Sequence, residues 1–282
     1  MPDEFTILQP IYWVLFGFAG VVILPLALWK FTKDLKAQKQ GDLEEVQADE
    51  EKIPLRHINF VDALVLLFAF ALYYRTGSGS SDIEVSDLLM GLVSQAIVIG
   101  LVVLVWVFRV NMVEALGLNR MRPNLLKWSF GIVVATWVFG LVLMGAGYES
   151  FLESVYGKAP LQGIVQFLKS TDDALALTLL ALVACIGAPV AEEVLFRGYI
   201  YPVTKTFTGA PVAMVFSGLL FATIHYNLLS LPVLFVMGIL LALAYEKTRS
   251  LWVPIIGHAV FNSITVGFQL LSRVVDLPVP QS

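Results

Sequence analysis

Long apolar runs broken by short polar connections fill most of this chain, and their length suits helices in lipid rather than strands. Crossing the hydrocarbon core takes about 20 mostly apolar residues, fewer where a helix is buried among others. Residues 11–29, 58–74, 88–108, 128–146, a run starting at 174, and 211–225, 231–245 and 251–271 therefore predict eight spanning helices. Pro25 is expected to kink the first. That run does not read as a secretory signal, because Pro2, Asp3 and Glu4 give no positive n-region.

The connections carry their own signals. Residues 30–57 open basic (Lys30, Lys33, Lys36, Lys39) and turn acidic (Asp42, Glu44, Glu45, Asp49, Glu50, Glu51), which predicts a solvated helical extension and linker. A Gly-Ser loop occupies 77–81, and Leu116-Gly117-Leu118 with Pro123 reads as a helix stop. Residues 147–173 mix Phe151, Leu152, Tyr156, Ile164, Phe167 and Leu168 with polar positions, as a helix lying at the interface does. Ser170, Thr171, Asp172 and Asp173 read as the cap of the fifth run. Trp29, Trp106 and Trp128 fall near segment ends, as interfacial anchors do.

Composition narrows the class. The chain is 58% hydrophobic and 14% charged, against about 25% charged in soluble proteins, and its mean hydropathy is +0.80. The expectation is an all-α, polytopic membrane helix bundle of about eight transmembrane helices, with any site in a cavity among the last four. No repeat or composition break divides it, so residues 1–282 are expected to form a single membrane domain. Within it, 1–147 are N-terminal helices with the charged loop at 30–57, and 174–271 are the core helices. A net charge of −4 with scattered basic residues argues against nucleic acid as a partner. The single cysteine, Cys185, excludes an internal disulfide and a CxxC metal site, and it is expected to be a small buried core residue.

Orientation follows from basic residues in the loops. With the amino terminus outside, thirteen Lys and Arg fall in inner loops and four in outer ones, Arg197 being set aside. The expectation is a cell-membrane protein with both termini outside and the site toward the cytoplasmic leaflet.

Charge inside the apolar runs is where chemistry is expected. Residues 174–190 carry none, yet Ala191-Glu192-Glu193-Val194-Leu195-Phe196-Arg197 follows directly. One charge at the centre of a membrane helix costs roughly 2.5 to 3.5 kcal/mol, so a pair needs compensation from protein or water. Glu193 and Arg197, four apart, share a helical face, whereas Glu192 is turned from its neighbour by about 100°. One carboxylate is thus paired and the other left free. A purely structural role for both is the bland alternative, although one carboxylate suffices for the arginine. His225 and His258 also sit inside apolar runs, and His258 and Asn262, four apart, project from one face. Asp62 is expected to cap its helix or pair with Arg56, and Ser217 to bond its own backbone.

Glu192-Glu193-xxx-Arg197, Phe221-xxx-His225 and His258-xxx-Asn262, in that order on consecutive late helices, resemble the three signature motifs of the CAAX prenyl protease family of intramembrane endopeptidases, also called the CPBP or Abi family. The resemblance covers the last third of the chain. It implies hydrolysis of a peptide bond within the membrane, on a membrane-associated peptide or protein, lipid-modified or not. Peptide hydrolysis needs a base for water, donors for the oxyanion and an acid for the leaving amine. Glu192 is expected to be the base and His225 to position the water, with His258 and Asn262 stabilising the oxyanion. Glu193, Arg197 and Phe221 support them. Glu192, His225 and His258 also form a conceivable zinc set, with Asn262 a weaker fourth ligand. There is no HExxH helix, and the reading favours no cofactor while leaving zinc open. Two rivals remain: a non-proteolytic immunity or regulatory scaffold of the same family, and a proton-coupled transporter.

Overall fold

The computed structural model describes residues 4–40, 58–76, 85–120, 124–157, 167–168 and 171–275. Residues 41–57 of the charged 30–57 stretch, including Arg56, the 77–81 loop, Pro123 and Ser170 lie outside the described residues. Helices α1 (Glu4–Phe18) and α2 (Leu24–Gln40) form one rod, followed by α3 (Phe60–Thr76), α4 (Val85–Trp106), the short α5 (Met112–Ala115), α6 (Leu125–Gly145) and α7 (Tyr148–Tyr156). A second long rod joins α8 (Ala174–Leu182), α9 (Ala188–Leu195) and α10 (Tyr201–Thr208). Helices α11 (Ala210–Thr223), α12 (Leu231–Thr248) and α13 (Trp252–Val275) complete the described chain. Every predicted run is helical, and six rods are long and apolar enough to cross a membrane. The other two, α3 with 17 residues and α11 with 14, are shorter. The protein is an all-α polytopic membrane bundle.

Both long rods stay continuous through π-helical turns, Ala19–Ile23, Val183–Gly187 and Phe196–Ile200. Each ends two residues before a proline: Pro25, Pro189 and Pro202. Proline has no N–H, and its ring collides with the carbonyl four residues back in an α-helix. Widening that turn removes the collision, so each helix continues past its proline. The fifth run accordingly does not end at the motif. It extends to Thr208, which places Glu192 and Glu193 midway along a 35-residue helix and not at its end.

Faces toward lipid are apolar: Val14, Val21, Phe68, Leu104, Phe130 and Val142 are all more than half exposed. Inside, one buried cluster runs from Tyr12 and Ile23 through Trp106, Phe196, Tyr201 and Phe221 to Tyr245 and Val253. It packs α9 to α13 against helices from the first half. Gly117, at φ +65°, makes the turn after α5, and a Cβ there would collide with the Arg249 carbonyl oxygen. The contact is locked by Leu251 N–H donating to Leu116 O at 3.1 Å.

Asp62 caps α3 as expected, accepting from Asn59 N–H at 2.9 Å, and it also pairs with Arg109 at 2.7 and 3.0 Å. Two expectations, for Trp106 and Ser217, are corrected. Trp106 is no interfacial anchor. It is 1% exposed and donates its indole N–H to Asp62 at 3.2 Å, because a buried carboxylate needs every available donor. Tyr199 O–H completes the set at 3.3 Å. Trp29 and Trp128 are exposed, as anchors are. Ser217 is fully buried, and its hydroxyl has no partner among the described residues, so it does not bond its own backbone.

Charge sorts to opposite ends of the bundle. Lys205 and Glu246, paired at 2.7 Å, lie at the end that also carries Arg109, Lys247 and Arg249. The other end carries α7, the Leu228 turn, and Arg273 bound to Asp172 at 2.7 Å. Asp173 caps α8 there by accepting from Leu175 N–H at 2.8 Å.

Candidate active site

Three helices bring the motif residues together. Glu192, Glu193 and Arg197 come from the middle of the α8–α10 rod, Phe221 from the last turn of α11 and His225 from the turn just beyond it, and His258 and Asn262 from α13. Arg197 is fully buried and donates from Nη1 to Glu193 Oε1 at 2.8 Å and from Nη2 to the Gly238 carbonyl at 3.0 Å. Its guanidinium also lies 4.7 Å from the Phe221 ring centre, a cation–π contact worth about 2 kcal/mol when desolvated. Phe221 thus does more than stack beside His225, although it does that too, edge-on at 4.9 Å, and meets His258 at 5.5 Å.

Hydrogen-bond partners set the histidine tautomers. Glu193 is a paired carboxylate and only accepts, so His258 Nδ1, 2.8 Å from its Oε1, is the donor. A main-chain carbonyl likewise only accepts, so His225 Nδ1 donates to Phe221 O at 2.8 Å. In their neutral forms both imidazoles then turn an unprotonated Nε2 toward Glu192. Glu192 Oε2 lies 3.8 Å from His225 Nε2 and 4.0 Å from His258 Nε2 and has no hydrogen-bond partner among the described residues. Three acceptors converge with no protein donor among them. Such a point attracts a molecule that brings its own protons, and at these separations water fits between them.

Asn262 has a second task that its spacing alone did not announce. In the π turn Val183–Gly187 the N–H of Ala188 reaches back to Val183 O. Pro189, next in line, has no N–H to give Ala184 O. Asn262 Nδ2 donates to that carbonyl at 2.8 Å, leaving its other N–H free. The proline in an otherwise apolar helix was the available signal for an orphaned carbonyl. Gly238, whose carbonyl receives Arg197, carried no signal.

A cavity of about 320 Å³ adjoins the cluster. Its wall includes His225, His258, Asn262, Trp137 and Phe261 and continues to Tyr148, Glu149 and Gln269, while Glu192 is not part of the wall. The cavity thus runs from mid-bundle toward the end opposite the basic loops. Tyr148 O–H bridges to Leu228 O at 3.0 Å, and burial pushes its phenol above the usual range, keeping it a neutral donor.

The two Nε2 atoms and Glu192 Oε2 suit zinc in donor chemistry. Bonds of about 2.0–2.2 Å, however, hold tetrahedral ligand atoms about 3.3 Å apart. The spacings here are wider, and among the described residues no three His, Cys, Asp or Glu are grouped to hold an ion. Cys185 is half-buried in the π turn, a more open position than expected.

Comparison with known proteins gives the same region. Residues 174–264 match the type II CAAX prenyl endopeptidase Rce1-like family. YdiL of Bacillus subtilis (strain 168), named as a candidate membrane peptidase, is 33% identical over 95 residues, 34% of this chain and 39% of YdiL. The membrane-embedded CAAX protease MroQ of Staphylococcus aureus (strain USA300) is 38% identical over 96 residues, 32% of this chain and 38% of MroQ. The similarity thus spans about two fifths of the length of each of these relatives. No solved structure matches.

Proposed function

We propose, from the premise that this chain belongs to the Rce1-like CAAX prenyl endopeptidase family, that it is an intramembrane endopeptidase in which Glu192 activates the hydrolytic water. The observation that carries the reading is Glu192 Oε2, free of protein donors and facing two imidazole Nε2 atoms at 3.8 and 4.0 Å. A water held there gives one proton to Glu192 while His225 Nε2 accepts its other O–H as a hydrogen bond. Its oxygen adds to the scissile carbonyl carbon. The free N–H of Asn262 stabilises the oxyanion, while His258, neutral with its Nε2 unprotonated, helps hold the water. Collapse breaks the C–N bond, and the proton on Glu192 passes to the leaving amine. Arg197 and Glu193 position this set by fixing the His258 ring.

No step passes through a metal, because the spacing does not favour one. The substrate is a membrane-associated peptide or protein. With the basic loops inward, both termini lie outside, the carboxylates sit near mid-membrane, and the cavity opens outward. The cavity runs away from the basic end, so on this orientation it faces outward, whereas the sequence pattern places the site toward the cytoplasmic leaflet.

The test is cleavage of a panel of prenylated and unprenylated membrane peptides by the purified protein in lipid. Cleavage lost in Glu192→Gln and untouched by chelator supports the proposal. Chelator-sensitive cleavage restored by zinc overturns the metal-free mechanism, and full activity in Glu192→Gln overturns the assignment of the base. A wild-type protein that cuts nothing favours a scaffold.

A further inference from the structure

The cavity wall is apolar apart from a few polar side chains, and besides its two histidines it holds one ionisable acid, Glu149, in the first turn of α7. Glu149 is half-buried, and no basic residue among those described pairs with it. A lone carboxylate at one end of an apolar cavity favours a ligand with an apolar body and one positive charge. It also disfavours a negative charge at that point, which gives discrimination as well as affinity. Glu153, one turn further along α7, is outside the wall.

We infer that the cavity takes an apolar peptide segment bearing one cationic side chain, and that Glu149 is the residue that recognises this charge. The inference rests on the peptidase reading for the identity of the ligand as a peptide, and its test does not depend on cleavage. Fluorescent apolar peptides, each with a single lysine placed at successive positions, are titrated against the full-length Glu192→Gln protein in lipid nanodiscs, beside glutamine counterparts. At the matching position the lysine peptide binds about fivefold more tightly, a preference that weakens with salt. Glu149→Gln abolishes the preference, Glu149→Lys transfers it to a glutamate peptide, and Glu153→Gln leaves it unchanged. Equal affinities at every position, a preference that survives Glu149→Gln, or no binding by any lysine peptide overturns the inference. Cleavage by wild type without charge preference sinks this inference alone, whereas charge preference without cleavage sinks only the peptidase reading.

Discussion

Replacing Glu193 with glutamine removes the anion that Arg197 Nη1 and His258 Nδ1 share. Arg197 is 0% exposed, and a buried charge stripped of its partner costs about 3–5 kcal/mol. Glu193→Gln is therefore expected to lower the thermal unfolding midpoint in detergent sharply. Glu192→Gln is expected to leave it nearly unchanged, because Oε2 has no protein partner to lose and the side chain is 23% exposed. Equal losses in the two variants would mean that both carboxylates are structural. The i,i+4 spacing made Arg197 and Glu193 legible as a pair. That His258 joins them was not legible, since 65 residues separate it from Glu193.

Helices α11 and α12 cross glycine on glycine. A Cβ at Gly238 would stand 2.7 Å from Gly218 Cα, and one at Gly218 would stand 3.1 Å from Ile239 N. Small residues let backbones approach this closely in membranes, and here the approach also presents the Gly238 carbonyl to Arg197. Gly238→Ala is expected to push the helices apart, lower the unfolding midpoint and abolish peptide cleavage. Gly131→Ala, where nothing lies within 4 Å, is expected to leave both intact, alanine being the better helix former by about 1 kcal/mol. Unchanged behaviour of Gly238→Ala would show that the crossing has slack. At this scale the apolar runs marked the helices but left open where the fifth ends, because a π turn keeps a rod going past a proline. The motif accordingly lies midway along its helix.

Across the whole molecule, basic residues gather at one end and the candidate cavity runs toward the other. The difference in loop charge predicts that the α7 end faces out. In a Cys185→Ala background, Tyr156→Cys is expected to react with a membrane-impermeant maleimide in intact cells, while Lys247→Cys reacts only after lysis. The reverse pattern would invert the topology and turn the cavity inward. Both positions are exposed, so lack of access cannot come from burial. The halves are tied by the Asp62 cluster: Arg109, Trp106 and Tyr199 all donate to one carboxylate, and Tyr199 sits two residues beyond Arg197. The first half, which lies outside the matched region, thereby contributes to holding the motif helix.

Length and periodicity of apolar runs determined that this chain is a helical membrane bundle, since backbone groups in lipid must be satisfied within each helix. Residue spacing likewise determined which polar side chains share a helical face. Only the tertiary structure decided which carboxylate is held and which is free, that Asn262 serves the carbonyl orphaned by Pro189, that Asp62 pairs with Arg109, and which way the cavity runs. Those outcomes depend on how separate helices rotate and cross. Spacing within one helix leaves that rotation undetermined, and packing of side chains from distant parts of the chain sets it.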